Sequence, residues 1–258
     1  MDLATILGVI LGLSGIFVAF LLEGGTMGAI IQVPALTIII FGTFGAAAVG
    51  TSFSTLVKLP VYLRLACFGR RYDHVGLIEG IGRYAQKARK EGLLALENEL
   101  EGVEDEFFRR GLQMIVDGAE MTHVKASMEG ELEAISQRHR AGILLFQKMG
   151  GYSPTMGIIG TVMGLISTLS AAGENPTELV RHIATAFIAT LWGVLLANLI
   201  WLPLSDKLRH RHEEEEFYRQ MLTAGVLSIH AGENPRAVQE KLLVLLPPKQ
   251  RGQAAGRK

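Results

Sequence analysis

Two apolar stretches of this sequence each carry a stripe of small and hydroxyl-bearing residues. The members of each stripe recur at intervals of four, three and four residues, so on a helix each stripe forms one face. The two stripes are Gly157, Thr161, Gly164 and Thr168, and Ala186, Thr190, Gly193 and Ala197. Small faces let helices approach closely, which predicts helix packing. Threonine oxygens are equally suited to line an ion path beside a partner helix, and spacing alone leaves both interpretations open.

Ionisable side chains are absent from the four apolar runs of the sequence. These runs are Leu3–Leu22, Gly24–Val57, Met149–Gly173 and Ile183–Ser205. Proteins that move protons across a membrane on their own normally hold an ionisable group near its middle. If ions cross here, we therefore expect another chain to supply the carboxylate.

Each run is long enough to cross a membrane as a helix. Leu3–Leu22 holds twenty uncharged residues, and about 20 suffice for a hydrocarbon core of about 30 Å. Met1 and Asp2 offer no positive n-region, so this run is interpreted as a retained helix and not as a signal peptide. Buried helices of soluble proteins seldom stay free of charge over such lengths. The sequence thus predicts an all-α integral membrane protein with four transmembrane helices.

The basic residues predict the orientation. Of the 25 Lys and Arg residues, 14 lie between Lys58 and Lys148 and 10 lie after Ser205. The positive-inside rule then places both polar segments and both termini in the cytoplasm. The predicted parts are transmembrane helices 1 and 2 (1–57), a cytoplasmic helical domain (58–148), transmembrane helices 3 and 4 (149–205) and a cytoplasmic tail (206–258). Acidic and basic residues share the same regions, so no nucleic-acid partner is predicted.

The segment between the second and third runs has the periodicity of amphipathic helices. Its apolar residues recur at helical spacing, and charged residues fill the other faces. Two such sets are Met128, Leu132 and Ile135, and Leu112, Ile115 and Val116. We expect a bundle of amphipathic helices here.

Neither a metal site nor an enzyme motif is predicted. His210, Arg211 and His212 precede four glutamates, but on a helix the two histidines point away from each other, which favours a solvated run of charges. The sequence has neither a G-x-S-x-G pattern nor a phosphate-binding loop. Hydrolase and ATPase chemistry are therefore not expected.

Two prolines mark the predicted cytoplasmic ends of the third and fourth helices. Pro154 is expected to open the third helix and Pro203 to close the fourth, either as hinges or, for Pro154, as an ordinary N-terminal proline. If both prolines lie at the cytoplasmic surface of the membrane, Thr161 is seven residues, or about 10 Å, from that surface, counted from Pro154. Thr190 is thirteen residues, or about 20 Å, from it, counted from Pro203. We therefore expect the two threonines not to share one coordination shell within a subunit.

Three segments of the chain resemble the MotA family of flagellar stator subunits. They are ARKEGLLALE at 88–97, SPTMGIIGTVMGL at 153–165 and the surroundings of Pro203. The resemblance also covers Asp117 to Gly142 and the layout of two helices, an insert and two helices. The motif in the third helix is shared more loosely with the wider ExbB and TolQ group.

The resemblance implies a motor part in the lipid of the bacterial inner membrane. Five copies would surround a dimer of a single-span MotB-type partner whose aspartate carries the ion, and cytoplasmic charges would turn the rotor protein FliG. Arg89 and Glu97 match the family's rotor-facing charges. Being eight residues apart, about two helical turns, they are expected to share one exposed face. Pro154 and Pro203 match the family's two prolines linked to conformational change.

The resemblance also bears on the coupling ion. Thr190 matches a position where the family often has a hydroxyl, whereas Thr161 matches one where proton-driven members tend to have alanine and sodium-driven members threonine. A threonine oxygen can replace a water on a hard cation. Sodium is therefore favoured over the proton as coupling ion, and no further cofactor is expected. A threonine hydroxyl also often bonds only the carbonyl one turn back in its own helix.

Two other functions remain possible at this point. An energiser of the ExbB or TolQ type would drive an envelope process, and its Arg89 and Glu97 would have no rotor to meet. A membrane scaffold would carry no ion flux at all.

Overall fold

A computed structural model describes residues 3–69, 72–170 and 176–255. Over these ranges the chain is helical and has no strand, which confirms the predicted all-α fold. The α-helices are α1 (Leu3–Leu22), α2 (Met27–Ile30), α3 (Val33–Val49), α4 (Phe53–Val57), α5 (Leu59–Cys67), α6 (His74–Glu91), α7 (Glu106–Val116), α8 (Met121–Ser170), α9 (Pro176–Leu196), α10 (Leu202–His230), α11 (Pro235–Leu243) and α12 (Pro248–Ala255). A 3₁₀ helix (Leu93–Gly102) follows α6, and a π-helical turn (Ala197–Trp201) joins α9 to α10.

Within the described ranges, two helical stretches are long and apolar enough to cross a membrane, Met121–Ser170 and His182–His230. Ile6–Leu22 and Val33–Val49 are apolar but shorter. The predicted run from Gly24 to Val57 is divided among α2, α3 and α4, with Pro34 in the first turn of α3. Proline is accepted there because the first turn of a helix has no intrahelical partner for its N–H groups.

The chain divides into two compact units. Unit 1 is Met1–Gly69 with His139–Arg211, and unit 2 is Arg70–Arg138 with His212–Lys258. These units are defined by packing, whereas the boundaries at 57, 148 and 205 separate apolar from polar segments and stay predictions. Tyr62 and Leu63, for example, pack with Phe146 and Leu208 in the core of unit 1.

Unit 1 is held together by apolar packing and by hydrogen bonds from polar side chains to backbone carbonyls. Phe146 and Met149 of α8 are fully buried with Ala47 of α3. The Trp192 indole donates to the Ile30 carbonyl at 2.9 Å, and the Ser205 hydroxyl donates to the Ile143 carbonyl at 3.0 Å. These bonds fix how α9 and α10 lie against their neighbours.

Unit 2 has its own apolar core. Helices α6, α7 and α11, the 3₁₀ helix and parts of α8 and α10 contribute to it. Of the apolar residues predicted to share helix faces, Leu132 is half-buried, and Met128, Ile135, Leu112, Ile115 and Val116 are buried. Asp73 and Asp105 cap α6 and α7 by accepting hydrogen bonds from the backbone N–H groups of Gly76 and Phe108.

Candidate functional site

The two small-residue stripes face each other across a tight seam between α8 and α9. A methyl group placed on Gly157 would lie 2.9 Å from the Ala189 carbonyl oxygen, and one on Gly164 would lie 2.8 Å from the Ala186 side chain. From α9, a methyl group on Gly193 would lie 2.7 Å from the Ser153 carbonyl oxygen. These positions require glycine because the backbones leave no room for a side chain. Helix packing, one of the two interpretations left open by the spacing, is therefore found.

Thr161 and Thr190 meet within this seam. Their hydroxyl oxygens are 2.5 Å apart, and the Thr161 hydroxyl also lies 3.1 Å from the Gly157 carbonyl oxygen and 3.0 Å from that of Ala186. A hydroxyl has one proton, so when Thr161 donates to a carbonyl, Thr190 donates to Thr161. Four oxygens thus converge in one place, and both side chains are half-buried.

The expectation that these threonines lie at different depths was wrong. It assumed that Pro154 and Pro203 are level with each other. In the structure Pro154 packs against Gly193, which comes ten residues before Pro203, and the Ser153 hydroxyl donates to the Gly193 carbonyl at 2.9 Å. This offset between the prolines brings Thr190 to the level of Thr161.

Neither proline holds the helix position predicted for it. Pro154 lies inside α8, which begins at Met121, so it neither opens a helix nor acts as an N-terminal proline. Pro203 does not close a helix either, because it is the second residue of α10. It follows the π-helical turn, where the Leu202 N–H donates to the Ala197 carbonyl. π-Helical turns of this kind are common at functional sites.

The chemistry available at the seam is that of neutral oxygen ligands. Hydroxyl and carbonyl oxygens are the donors that hard cations prefer. None of the residues named in the seam has a side chain that gains or loses a proton near neutral pH. The pair can therefore help to coordinate a cation, but a carboxylate to carry it must come from elsewhere.

Arg89 and Glu97 lie on two different helices. Arg89 is in the last turn of α6, whereas Glu97 is in the 3₁₀ helix. Between them Gly92 adopts φ +88°, a conformation that ends α6 and that other residues rarely take. The expected shared face of one continuous helix is therefore wrong. Both side chains are nevertheless exposed, and in the described part of the chain neither has a hydrogen-bond or ion-pair partner.

An ion pair links the two segments that carry these charges. Lys87 Nζ lies 2.5 Å from Glu99 Oε1, joining α6 to the 3₁₀ helix. The hydrogen bond to Glu99 is the main reason that the pKa of Lys87 is raised, and burial acts in the opposite direction. Leu96 and Leu100 of the same segment are buried in the core of unit 2. The position of Glu97 relative to Arg89 is thus set by this pair and by the two leucines.

Several residues of these sites escaped the sequence analysis. Lys87 and Glu99 are twelve residues apart, which matches no helical period, and nothing local marks Ser153 as a partner of Gly193. His212 was expected in a solvated run of charges but is 8% exposed and shares a hydrogen bond of 3.2 Å with Ser136. Among the described residues, no three His, Cys, Asp or Glu side chains cluster as a metal site would require.

Comparison with known proteins gives consistent matches. The family model for the motility protein A N-terminal region matches residues 6–92, and that of the MotA/TolQ/ExbB proton channel family matches residues 99–221. Motility protein A of Bacillus subtilis (strain 168) is 37% identical over 252 residues, which are 97% of this chain and 93% of that protein.

Two solved stator structures share the fold. The flagellar MotAB stator complex from Bacillus subtilis has a chain with a TM-score of 0.89 and 36% identity, covering 96% of this chain and 98% of that one. A chain of C. jejuni MotAB has a TM-score of 0.90 and 29% identity, with coverage of 96% and 97%. The chain therefore belongs to the motility protein A family, within the MotA/TolQ/ExbB proton channel family.

Proposed function

We propose that this protein is the subunit of a flagellar stator that couples ion flow across the bacterial inner membrane to torque on the rotor protein FliG. The observation that carries the proposal is the likeness to a flagellar MotAB stator chain over 96% of this chain. A MotB-type single-span subunit is the proposed partner. A ring of five copies around two such partners is the proposed assembly, as the family resemblance implies.

The proposed topology has four membrane-spanning helices and cytoplasmic termini. The spans correspond to α1, α3, the apolar end of α8, and α9 with the π-helical turn. The concentration of basic residues at 58–148 and after 205 supports this orientation through the positive-inside rule. Unit 2 would then be cytoplasmic, where it can meet a rotor.

In this proposal the seam between α8 and α9 is a neutral wall of the ion path. Because the four apolar runs hold no ionisable residue, the aspartate of the partner would carry the ion and the Thr161–Thr190 pair would line its path. The four converging oxygens support sodium as the coupling ion, since a threonine oxygen can take the place of a water. Alanine at position 161 would remove the central oxygen of the group.

Pro154 and Pro203 are proposed to allow the helices to change shape as the ion passes. A proline inside a helix cannot donate the hydrogen bond to the carbonyl one turn back, so the helix is weakened there. Pro154 stands in this position within α8, and the π-helical turn before Pro203 already departs from regular α-helical bonding.

The coupling ion is tested by replacing Thr161 with alanine in a host that carries this stator. Thr161→Ala is expected to weaken the dependence of swimming speed on sodium. Thr168→Ala is the matched control, because Thr168 lies on the same stripe but donates only to the Gly164 carbonyl of its own helix, at 2.8 Å. Swimming that is unchanged across a sodium titration, with torque following the proton-motive force, would contradict the sodium proposal.

The rotor contact is tested by reversing the exposed charges of unit 2. Arg89→Glu and Glu97→Lys are each expected to reduce swimming, and a compensating reversal in FliG is expected to restore it. Exposed charges suit this role because their water-screened contacts are weak, about 1 kcal/mol or less, and so form and break quickly. Normal swimming in both variants would contradict the rotor contact, as would a failure of the compensating reversal in FliG to restore swimming.

A further inference from the structure

A groove of about 530 Å³ lies between α1 on one side and the π-helical turn and α10 on the other. The way in which α1 packs leaves this space. At Gly12 α1 comes close to the π-helical turn, since a methyl group there would lie 2.9 Å from the Leu199 side chain. At Gly8, about one turn earlier on the same face, a methyl group would meet nothing within 4 Å. Open space therefore remains beside the first turns of α1.

The lining of this groove changes from apolar to charged. The lining residues are Gly8 and Val9 of α1, then Leu199 and Pro203, and finally Asp206, Lys207 and His210 of α10. The last four residues recur at intervals of three and four, so they share one face of α10. A molecule that fits this groove must have an apolar part and a charged part.

The charges at the polar end favour an anion. The Asp206 carboxylate lies 3.7 Å from the Arg209 guanidinium, which offsets its charge. Lys207 adds a positive charge, and the His210 imidazole can donate a hydrogen bond. Lys207 and His210 also interact with other groups of the chain. An ammonium has three N–H donors, however, so Lys207 can hold a phosphate oxygen in addition to a partner within the chain.

The change from apolar to charged lining marks the level of the lipid head groups. The run 183–205 holds no Asp, Glu, Lys, Arg or His, and Asp206 follows it directly. Basic pockets between membrane helices on the cytoplasmic side are typical binding sites for anionic lipid head groups. The volume of the groove also lies within the range of about 300–1,000 Å³ that small-molecule sites have.

We propose that this groove binds one anionic phospholipid. Its phosphate is held by Lys207 and His210, and an acyl chain lies along Gly8 and Leu199. A lipid bound there fills the space beside Pro203 and joins α1 to α10. The assignment of this lipid to the inner leaflet rests on the proposed function, through its topology. The match between a charged head, an apolar tail and the two parts of the groove does not.

Lipid retention by the purified full chain tests the apolar part of the groove. The protein, with its partner, is placed in detergent containing phosphatidylglycerol or phosphatidylcholine, and the lipids that stay bound are counted by native mass spectrometry. We expect the parent to retain one phosphatidylglycerol per chain that Gly8→Leu loses, because the leucine side chain would occupy the groove. Gly15→Leu is the matched control and should retain this lipid. A methyl group on Gly15 of α1 also meets nothing within 4 Å, but Gly15 is not among the described lining residues.

The charged part is tested by titrating the same lipid. Lys207→Gln is expected to weaken phosphatidylglycerol binding about fivefold, the change that corresponds to about 1 kcal/mol for one basic residue at an anionic membrane surface. Lys207→Arg should bind as the parent does. Equal retention of phosphatidylglycerol and phosphatidylcholine by the parent would overturn the proposal, as would unchanged binding in Lys207→Gln or in Gly8→Leu.

A second copy of the chain could cover the groove instead of a lipid. In that case the parent would retain no phosphatidylglycerol and Gly8→Leu would break up the oligomer in the same spectra, which would also overturn the proposal. Failure of the stator proposal is recognised separately. A chain that does not co-purify with a MotB-type partner would contradict the stator proposal, whereas the number of bound lipids is still read from the full chain by itself.

Discussion

Replacing Gly193 with alanine should open the seam that holds the threonine pair together. The added methyl group would lie 2.7 Å from the Ser153 carbonyl oxygen, 3.2 Å from the Gly157 Cα and 3.3 Å from the Pro154 Cα. All three atoms belong to the backbone of α8, so no flexible side chain can move aside. Since ordinary contact begins near 3.4 Å, the helices must separate by about 0.7 Å at the oxygen.

Two opposing effects set the size of the change. Overpacking a close contact costs about 1–3 kcal/mol, whereas alanine stabilises a helix by up to about 1 kcal/mol relative to glycine. We expect a net loss of about 1–2 kcal/mol in the free energy of unfolding, which is about a 5- to 30-fold change in the folded-to-unfolded ratio. The opened seam should also pull Thr190 away from Thr161, because residues 190 and 193 are neighbours on one helix face.

Unfolding of the purified complex by sodium dodecyl sulfate in mixed micelles measures this loss. Gly151→Ala is the matched control, because Gly151 is likewise inside a helix, α8, but a methyl group there would meet nothing within 4 Å. Gly151→Ala should be as stable as the parent or slightly more stable. A Gly193→Ala protein as resistant to the detergent as Gly151→Ala would refute the close seam. Weaker sodium dependence of swimming in Gly193→Ala would link the seam to ion coupling.

Two further changes test unit 2. Lys87→Glu and Glu99→Lys should each reduce swimming speed, because each breaks the link between α6 and the segment that carries Glu97; the double exchange should restore swimming, and failure to do so would exclude a positioning role. His74 is expected to make stability depend on pH. Burial lowers the pKa of His74, while Glu214 and Asp73 act in the opposite direction. The unfolded chain therefore binds more protons below the ordinary value of about 6.5, and stability falls as the pH drops through it. His74→Gln should reduce the difference in melting temperature between pH 7.5 and 5.5, and an unchanged difference would contradict this account.

The seam shows how far spacing within a helix can predict a site. The intervals in the two stripes identified both contacting faces, because residues at helical spacing share a face whatever lies opposite. The spacing of residues within one helix does not predict how far that helix is shifted along its neighbour. That shift depends on where Gly193 can approach Pro154, which is a property of two surfaces together. For this reason the faces were predicted and the meeting of Thr161 with Thr190 was not.

Arg89 and Glu97 illustrate the opposite case, in which the sequence held a local signal. Gly92 lies between Arg89 and Glu97, and a glycine after a run of basic residues is a common helix end. A break at Gly92 was therefore predictable. The position of the following segment was not, because it is fixed by the burial of Leu96 and Leu100 and by the ion pair of Lys87 with Glu99.

The close approach of Pro154 and Gly193 connects the proline of α8 with the Thr161–Thr190 pair, which the family resemblance treated as separate features. A methyl group on Gly193 would lie 3.3 Å from the Pro154 Cα, so the two backbones are close there, and Gly193 lies three residues, about one turn, from Thr190 on the same face of α9. A bend of α8 at Pro154 therefore displaces Gly193 first, since the contact leaves no space to absorb it. Displacement of Gly193 moves Thr190 with it, because both belong to one regular helix. We therefore expect the oxygens that would line the ion path and the proline that would allow α8 to bend to move together.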